Sequence, residues 1–237
     1  MADSVDKPAA QAAGSAQQLS HVVGHRIRSL RIEHGWSLSG LALKAELGKA
    51  TLSEIEAGRR NPTLETLYAL AAQLEVPLAD LLVEPGQPVG PTRQLSGKAV
   101  TASLVEVFDD PSAPDTSLPD TSAPDISAPD TSAPEGGVTT EVYRLVIRRG
   151  RRQVSPGHGP GVVEHLIVTA GTARVGPVGA VTDIQAGEHG HWDSSGQHEY
   201  SAVGELDVQA VLIIRHPRGR RALTSATTPE QPPMMPR

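Results

Sequence analysis

The chain has 237 residues and a formal net charge of −6, so no overall positive field marks it as a general binder of polyanions. It contains no cysteine, which excludes disulfides and thiolate metal sites and fits a reducing compartment. The opening MADSVDKPAAQAAGSAQQ carries acids and no apolar centre, so it is no secretory signal, and apolar runs such as VLII at 211–214 are far too short to span a bilayer. A cytoplasmic chain with no membrane partner is expected.

Residues 1–20 are rich in Ala, Gln and Ser, lack periodicity and are expected to form a disordered tail. Residues 21–84 read as a helical domain, because apolar residues recur at three- and four-residue spacing and Gly35, Gly48, Gly58 and Pro62 interrupt them. Helix one runs to about His34. Ser37 caps helix two, Leu38 to about Ala45, and a turn at Glu46-Leu47-Gly48 leads to helix three, Lys49 to about Ala57. Thr63 caps helix four, with Glu65 in its first turn, and Pro77 and Asp80 begin a short fifth helix. Two short helices joined by a tight turn and packed on three others make a helix-turn-helix.

The run SLSGLALKAELGKATLSEIEAGRRNPTLETLYALAAQLEVPLADLL resembles the DNA-binding domain of the phage-repressor-like (XRE) family over about sixty residues. The resemblance implies that helix three enters the major groove, with Lys49, Ala50, Thr51, Ser53 and Glu54 on its outward side. Lys49 would donate to guanine, Glu54 accept from cytosine, and Ala50 and the Thr51 methyl touch thymine. Lys44, Arg59 and Arg60 would meet phosphates, and Arg31 and Glu56 match the family's structural ion pair. Glu46 stands where the family usually has Gly, and Gly48 where Ser or Thr often caps helix three. Residues 21–83 hold seven basic side chains (Arg26, Arg28, Arg31, Lys44, Lys49, Arg59, Arg60) and seven acidic ones, so binding must rest on local placement of charge.

EPGQPVGP at 84–91 signals a linker, placed at 85–93, and the character then changes. Short runs rich in Val, Ile and Thr follow from 94 to 218: KAVTASLVEVF, TTEVYRLVIR, GVVEHLIVT, TARVG, AVTDI, HEYSAV and LDVQAVLIIR. Repeated short strands with frequent turn signals predict an all-β barrel or sandwich. The segment 109–137 interrupts it with PDTSL-PDTSA-PDISA-PDTSA-PE, where recurrent proline blocks helix and inner strand; a disordered insertion is expected. The Pro- and Thr-rich residues 219–237 are expected to form a second disordered tail.

Histidines cluster in SPGHGPGVVEHLIV (155–168) and AGEHGHWDSSGQHEYSA (186–202), an arrangement that resembles a cupin, the double-stranded β-helix barrel. His158, Glu164 and Gly171 match the first cupin motif, but Pro160 stands at its second histidine. Gly187, Gly196 and His198 echo the second motif. The resemblance implies His158, Glu164 and His198 as metal ligands if a metal is held, one short of the usual set, since Pro160 has no donor. His165 does not replace it, because adjacent strand residues point to opposite faces. No metal or other cofactor is therefore expected. His158, Glu164, Trp192, His198 and Tyr200 are the expected effector pocket, for a barrel of this size holds one small molecule.

The reading is a two-domain regulator: a five-helix, all-α DNA-binding domain followed by an all-β cupin that dimerises and takes a small-molecule effector. Its expected partner is double-stranded DNA with a palindromic operator, bound by a homodimer. No catalytic triad, phosphate loop or CxxC is present, and no enzyme activity is expected. The rivals are a metal-dependent cupin enzyme tethered to DNA and an antitoxin-like repressor with a purely structural cupin.

Overall fold

The computed structural model describes residues 7–83, 93–110 and 137–217. Helix α1 spans Lys7–Glu33, so the helix takes in most of the stretch expected as a tail. It ends where Gly35 adopts φ +68°, a conformation open to glycine, and the Trp36 N–H returns to the Arg31 carbonyl at 3.0 Å. Helix α2 is Leu38–Lys44, and the Ser37 hydroxyl caps it by accepting from the Gly40 N–H at 3.0 Å. Glu46 takes the turn with φ +54°, at a cost of about 1 kcal/mol, and Leu47 N–H closes back on the Ala42 carbonyl at 2.8 Å. Helix α3 is Lys49–Glu56, with Gly48 at its start giving no side-chain cap.

Helix α4, Leu64–Gln73, is capped by Thr63, and α5 is Ala79–Leu82. Leu41, Leu52, Ile55, Leu67, Leu70 and Leu81 form the centre of the helical core, each buried leucine contributing about 1.5–3 kcal/mol. Arg31 grips Glu56 through two hydrogen bonds of 2.7 and 2.9 Å and the Trp36 carbonyl through a third of 2.8 Å, so this pair ties α1 to α3.

Ten strands follow among the described residues: β1 (Arg93–Ser96), β2 (Val100–Asp110), β3 (Val138–Ile147), β4 (Arg152–Ser155), β5 (Val163–Ala170), β6 (Thr172–Pro177), β7 (Thr182–Gln185), β8 (His189–Asp193), β9 (His198–Ala202) and β10 (Val208–Pro217). The seven expected runs all contain strand, and β1, β4 and β8 are additional. The hydrogen bonding makes two antiparallel sheets, β1-β2-β3-β10-β5-β8 and β4-β9-β6-β7, rather than one closed barrel. Their inner faces share a hydrophobic core that is continuous with the helical one. Among the described residues no strand pairing joins the two sheets, neither between edge strands β7 and β8 nor between β1 and β4. The linker, the proline repeat and the C-terminal segment expected as a tail lie outside the described residues, except that β1 begins at Arg93, β2 reaches Asp110 and β3 starts at Val138.

Candidate functional site

The outer surface of the helical domain carries the first candidate site. Leu52 and Ile55 of α3 are buried, while Lys49, Ala50 and Glu54 are exposed and Thr51 and Ser53 half-exposed, the sidedness expected of a helix that lies in a groove. Arg59 and Arg60 are exposed at its C-terminal end, and Arg60 reaches the Glu54 carboxylate at 3.5 Å. Lys44 lies over the Trp36 ring, 4.8 Å from its centroid. The expected phosphate contact and Glu54's expected base contact would therefore each compete with an internal partner.

The second site is inside the β domain. The strand period points Glu164 inward and His165 outward on β5. His158 comes from the β4–β5 loop. A Cβ at Gly157 would lie 2.0 Å from the Ser195 carbonyl oxygen, so only glycine lets this loop approach, and the His158 N–H then bonds the Ser194 carbonyl at 2.9 Å. His158 Nε2 lies 2.7 Å from Glu164 Oε1, and His198 Nε2 lies 3.3 Å from the same oxygen without a well-directed hydrogen bond. The Tyr200 hydroxyl donates to Glu164 Oε2. His158, Glu164 and His198 side chains are 2, 0 and 1% exposed, so the group is sealed from bulk water.

Burial opposes charge on Glu164, but His198 and His158 outweigh it and hold the carboxyl well below the usual carboxylate range. Burial likewise opposes protonation of His198, yet Glu164 overcomes it and raises His198. For His158 burial wins and its pKa falls. The electrostatics of the cluster thus favour an ionised Glu164, a protonated His198 and a neutral His158. Burial, reinforced by Glu164, pushes the Tyr200 and Tyr68 hydroxyls far up, so both remain donors.

Tyr68 belongs to α4, and its ring packs on His158 with centroids 4.2 Å apart. Three residues before it on the same helix, the Glu65 carboxylate accepts from Lys98 N–H at 2.7 Å. Inward-facing Glu141 on β3 accepts from the Ala79 N–H of α5 at 2.5 Å and lies 3.0 Å from His216 Nε2. The helical domain thus closes one end of the β domain through polar contacts. Sequence reading missed Tyr68, Glu141 and His216, because no periodicity signals a contact between separately folded segments.

Trp192 completes the expected pocket on the other side. It meets Tyr200 edge-on, with ring centroids 6.0 Å apart, and its buried Nε1 has no hydrogen-bond partner among the described residues. A cleft of about 510 Å³ along the β7–β8 seam is lined by Trp192, Ile184, Val175, Asp183 and their neighbours, a volume within the range of ordinary ligand pockets. Contacts run without a break from Trp192 through Tyr200, Glu164 and His158 to Tyr68.

The residues also fit a metal ion. Donors bonded to one divalent ion at about 2.0–2.2 Å lie on the order of 3 Å apart, comparable with the two separations at Glu164 Oε1. The three make a two-histidine, one-carboxylate set. Pro160 is exposed and supplies no donor.

A helix-turn-helix family model matches residues 27–81. The transcriptional regulator ClgR of Mycobacterium tuberculosis is 31% identical over 94 residues, 38% of this chain and 84% of its own length. The chain belongs to the helix-turn-helix family of transcriptional regulators. The HTH-type transcriptional regulator SutR of Escherichia coli aligns with nearly the whole regulator, at 26% identity over 202 residues, 85% of this chain and 99% of its own. A solved helix-turn-helix transcriptional regulator from Vibrio cholerae shares the fold, with a TM-score of 0.64 over 86% of this regulator and 99% of its own length at 24% identity. No helix among the described residues is long and apolar enough to cross a membrane.

Proposed function

We propose that this regulator is a homodimeric, sequence-specific DNA-binding protein of the cytoplasm, not an enzyme, whose cupin-type β domain reads a small organic effector. The observation that carries the reading is the packing of Tyr68, from the helix that follows the DNA-facing α3, on His158 of the buried cluster. The effector enters the seam and meets the unpartnered Trp192 Nε1. A shift of Tyr200 and Glu164 then alters His158, and His158 alters the seat of α4. A palindromic operator follows from two-fold pairing, because one α3 spans only a few base pairs.

Two experiments test this. Operator fragments are selected from genomic DNA with the full chain. Lys49→Ala is expected to cost about 1–3 kcal/mol at one base position, and Arg59→Ala to weaken all sequences alike with a shallower salt dependence. Wild-type affinity in the double variant removes α3 as the reader. For the effector, Trp36→Phe leaves Trp192 as the single tryptophan. Low-mass metabolite fractions that change operator affinity are expected to change Trp192 emission too; an affinity change with silent emission places the effector elsewhere.

A second reading has its own observation, the convergence of His158, Glu164 and His198 about one point with the buried His198 Nε2 lacking a directed partner. A divalent ion held there would supply Lewis acidity and open coordination positions. Stoichiometric metal in the purified protein, lost in His198→Gln, favours this reading over the organic effector.

A further inference from the structure

The strand period that sends Glu164 inward sends its neighbour His165 to the opposite face. On that face β8 is the edge strand of the sheet, and His165 stands directly across from His191, with His189 two residues along the same strand. The three imidazoles gather there: ring centroids are 5.4, 5.5 and 5.9 Å apart, and their ligand nitrogens all lie within 4.8 Å of one another. His165 Nδ1 and His189 Nε2 are 3.2 Å apart. Two nitrogens on a tetrahedral zinc, each bonded at about 2.0–2.1 Å, lie about 3.3–3.4 Å apart, so this spacing already suits a shared ion.

We propose that His165, His189 and His191 form a surface site for a divalent first-row transition ion of the zinc or copper type, with three imidazole ligands and a fourth position open to solvent. Imidazole suits these ions, and three such donors with an open position are a sufficient set. His189 and His191 are exposed, so their rings turn about χ2 at little cost to bring the third nitrogen in. Burial, and then the neighbouring His189 and His191, lower the His165 pKa and so favour the neutral form that ligates a metal. No carboxylate joins the set from Glu188, whose side chain accepts from the Gln185 N–H at 2.8 Å. Arg215, near His165, opposes added positive charge as it opposes protonation, and donates nothing to a metal. The site stands on the outer face of β5 and β8 and does not depend on what the buried cluster holds.

The test uses the full chain, stripped with a chelator and titrated with zinc chloride while histidine side-chain nitrogens are followed by NMR. At micromolar zinc the resonances of His165, His189 and His191 are expected to move together, with one ion per chain. Removing a direct ligand is expected to cost more than the roughly 10- to 100-fold typical of an outer-shell partner, so His191→Asn and His189→Asn each lose that step while keeping the wild-type melting temperature. His198→Gln is expected to leave it unchanged. Zinc that moves only His158 and His198, zinc that moves no histidine, or wild-type affinity in His191→Asn overturns the site.

Discussion

Two histidine groups lie on opposite faces of strand β5, separated by the thickness of one sheet. Inside, His158 and His198 share the Glu164 carboxylate, and Tyr68 of the helical domain packs on His158. Outside, the rings of His165, His189 and His191 stack on one another at the surface. The sequence step from Glu164 to His165 is one residue, yet burial gives the two sides different chemistry. The inner group must carry its compensating charge with it, because an unpaired buried ion costs several kcal/mol. The outer group needs none, and it is free to collect an ion from solution.

That contrast can be broken by mutation. Glu164→Ala leaves two buried imidazoles without their anion and is expected to cost about 3–5 kcal/mol in urea unfolding. His165→Ala, one residue along, is expected to stay within about 0.5 kcal/mol of wild type. Equal effects would mean that burial does not distinguish the two faces. A smaller effect sharpens the inner side: a double-mutant cycle between Tyr68→Leu and His158→Gln is expected to give about 0.5–1.5 kcal/mol of coupling, the worth of a packed ring pair. Additive costs would detach the helical domain from the cluster.

The pH arm is expected to be smaller again, since burial works against the charges it measures. His198 is raised from its ordinary 6.5, so its contribution is full below that pH and is lost as pH rises through the folded value. Glu164 is lowered from 4.5, so its contribution is present above that pH and is lost as pH falls through the folded value. The stability gap between wild type and His198→Gln is therefore expected to be widest between about pH 4.5 and 6.5 and to narrow toward pH 8. A gap that widens with rising pH contradicts the charge assignment.

The helical half was legible because its signals are local. Ser37 and Thr63 cap the helices they were expected to cap, Arg31 meets Glu56, and Glu46 takes the positive φ that its place in the turn demanded. In the β half the inward and outward sides of β5 were legible from the period of two, and His158, Glu164 and His198 do come together. The short strands β1, β4 and β8 were not, because RQLS, RQVS and HGHWD are mostly polar and carry almost none of the Val, Ile and Thr that marked the other runs. Two partnerships were invisible because they arise only from tertiary structure. His165 was set aside as facing away from the metal motif, and only the register of β5 against β8 brings it to His191. Tyr68 reads as an ordinary core residue of α4 until the two domains are placed against each other. The start of α1 at Lys7 runs against composition, since an Ala- and Gln-rich stretch lacks apolar periodicity but has strong helix propensity.

The central claim is that the buried cluster and the DNA-facing helices are energetically coupled. Operator affinity of Tyr200→Phe tests it most directly. This change removes only the hydroxyl that donates to Glu164, keeps the ring, and alters no residue of the helical domain itself. Coupling between sites is typically about 1–3 kcal/mol. With the melting temperature of each protein measured alongside, the account predicts that operator affinity changes about fivefold or more while the fold stays intact. Identical affinity in two equally folded proteins would contradict it.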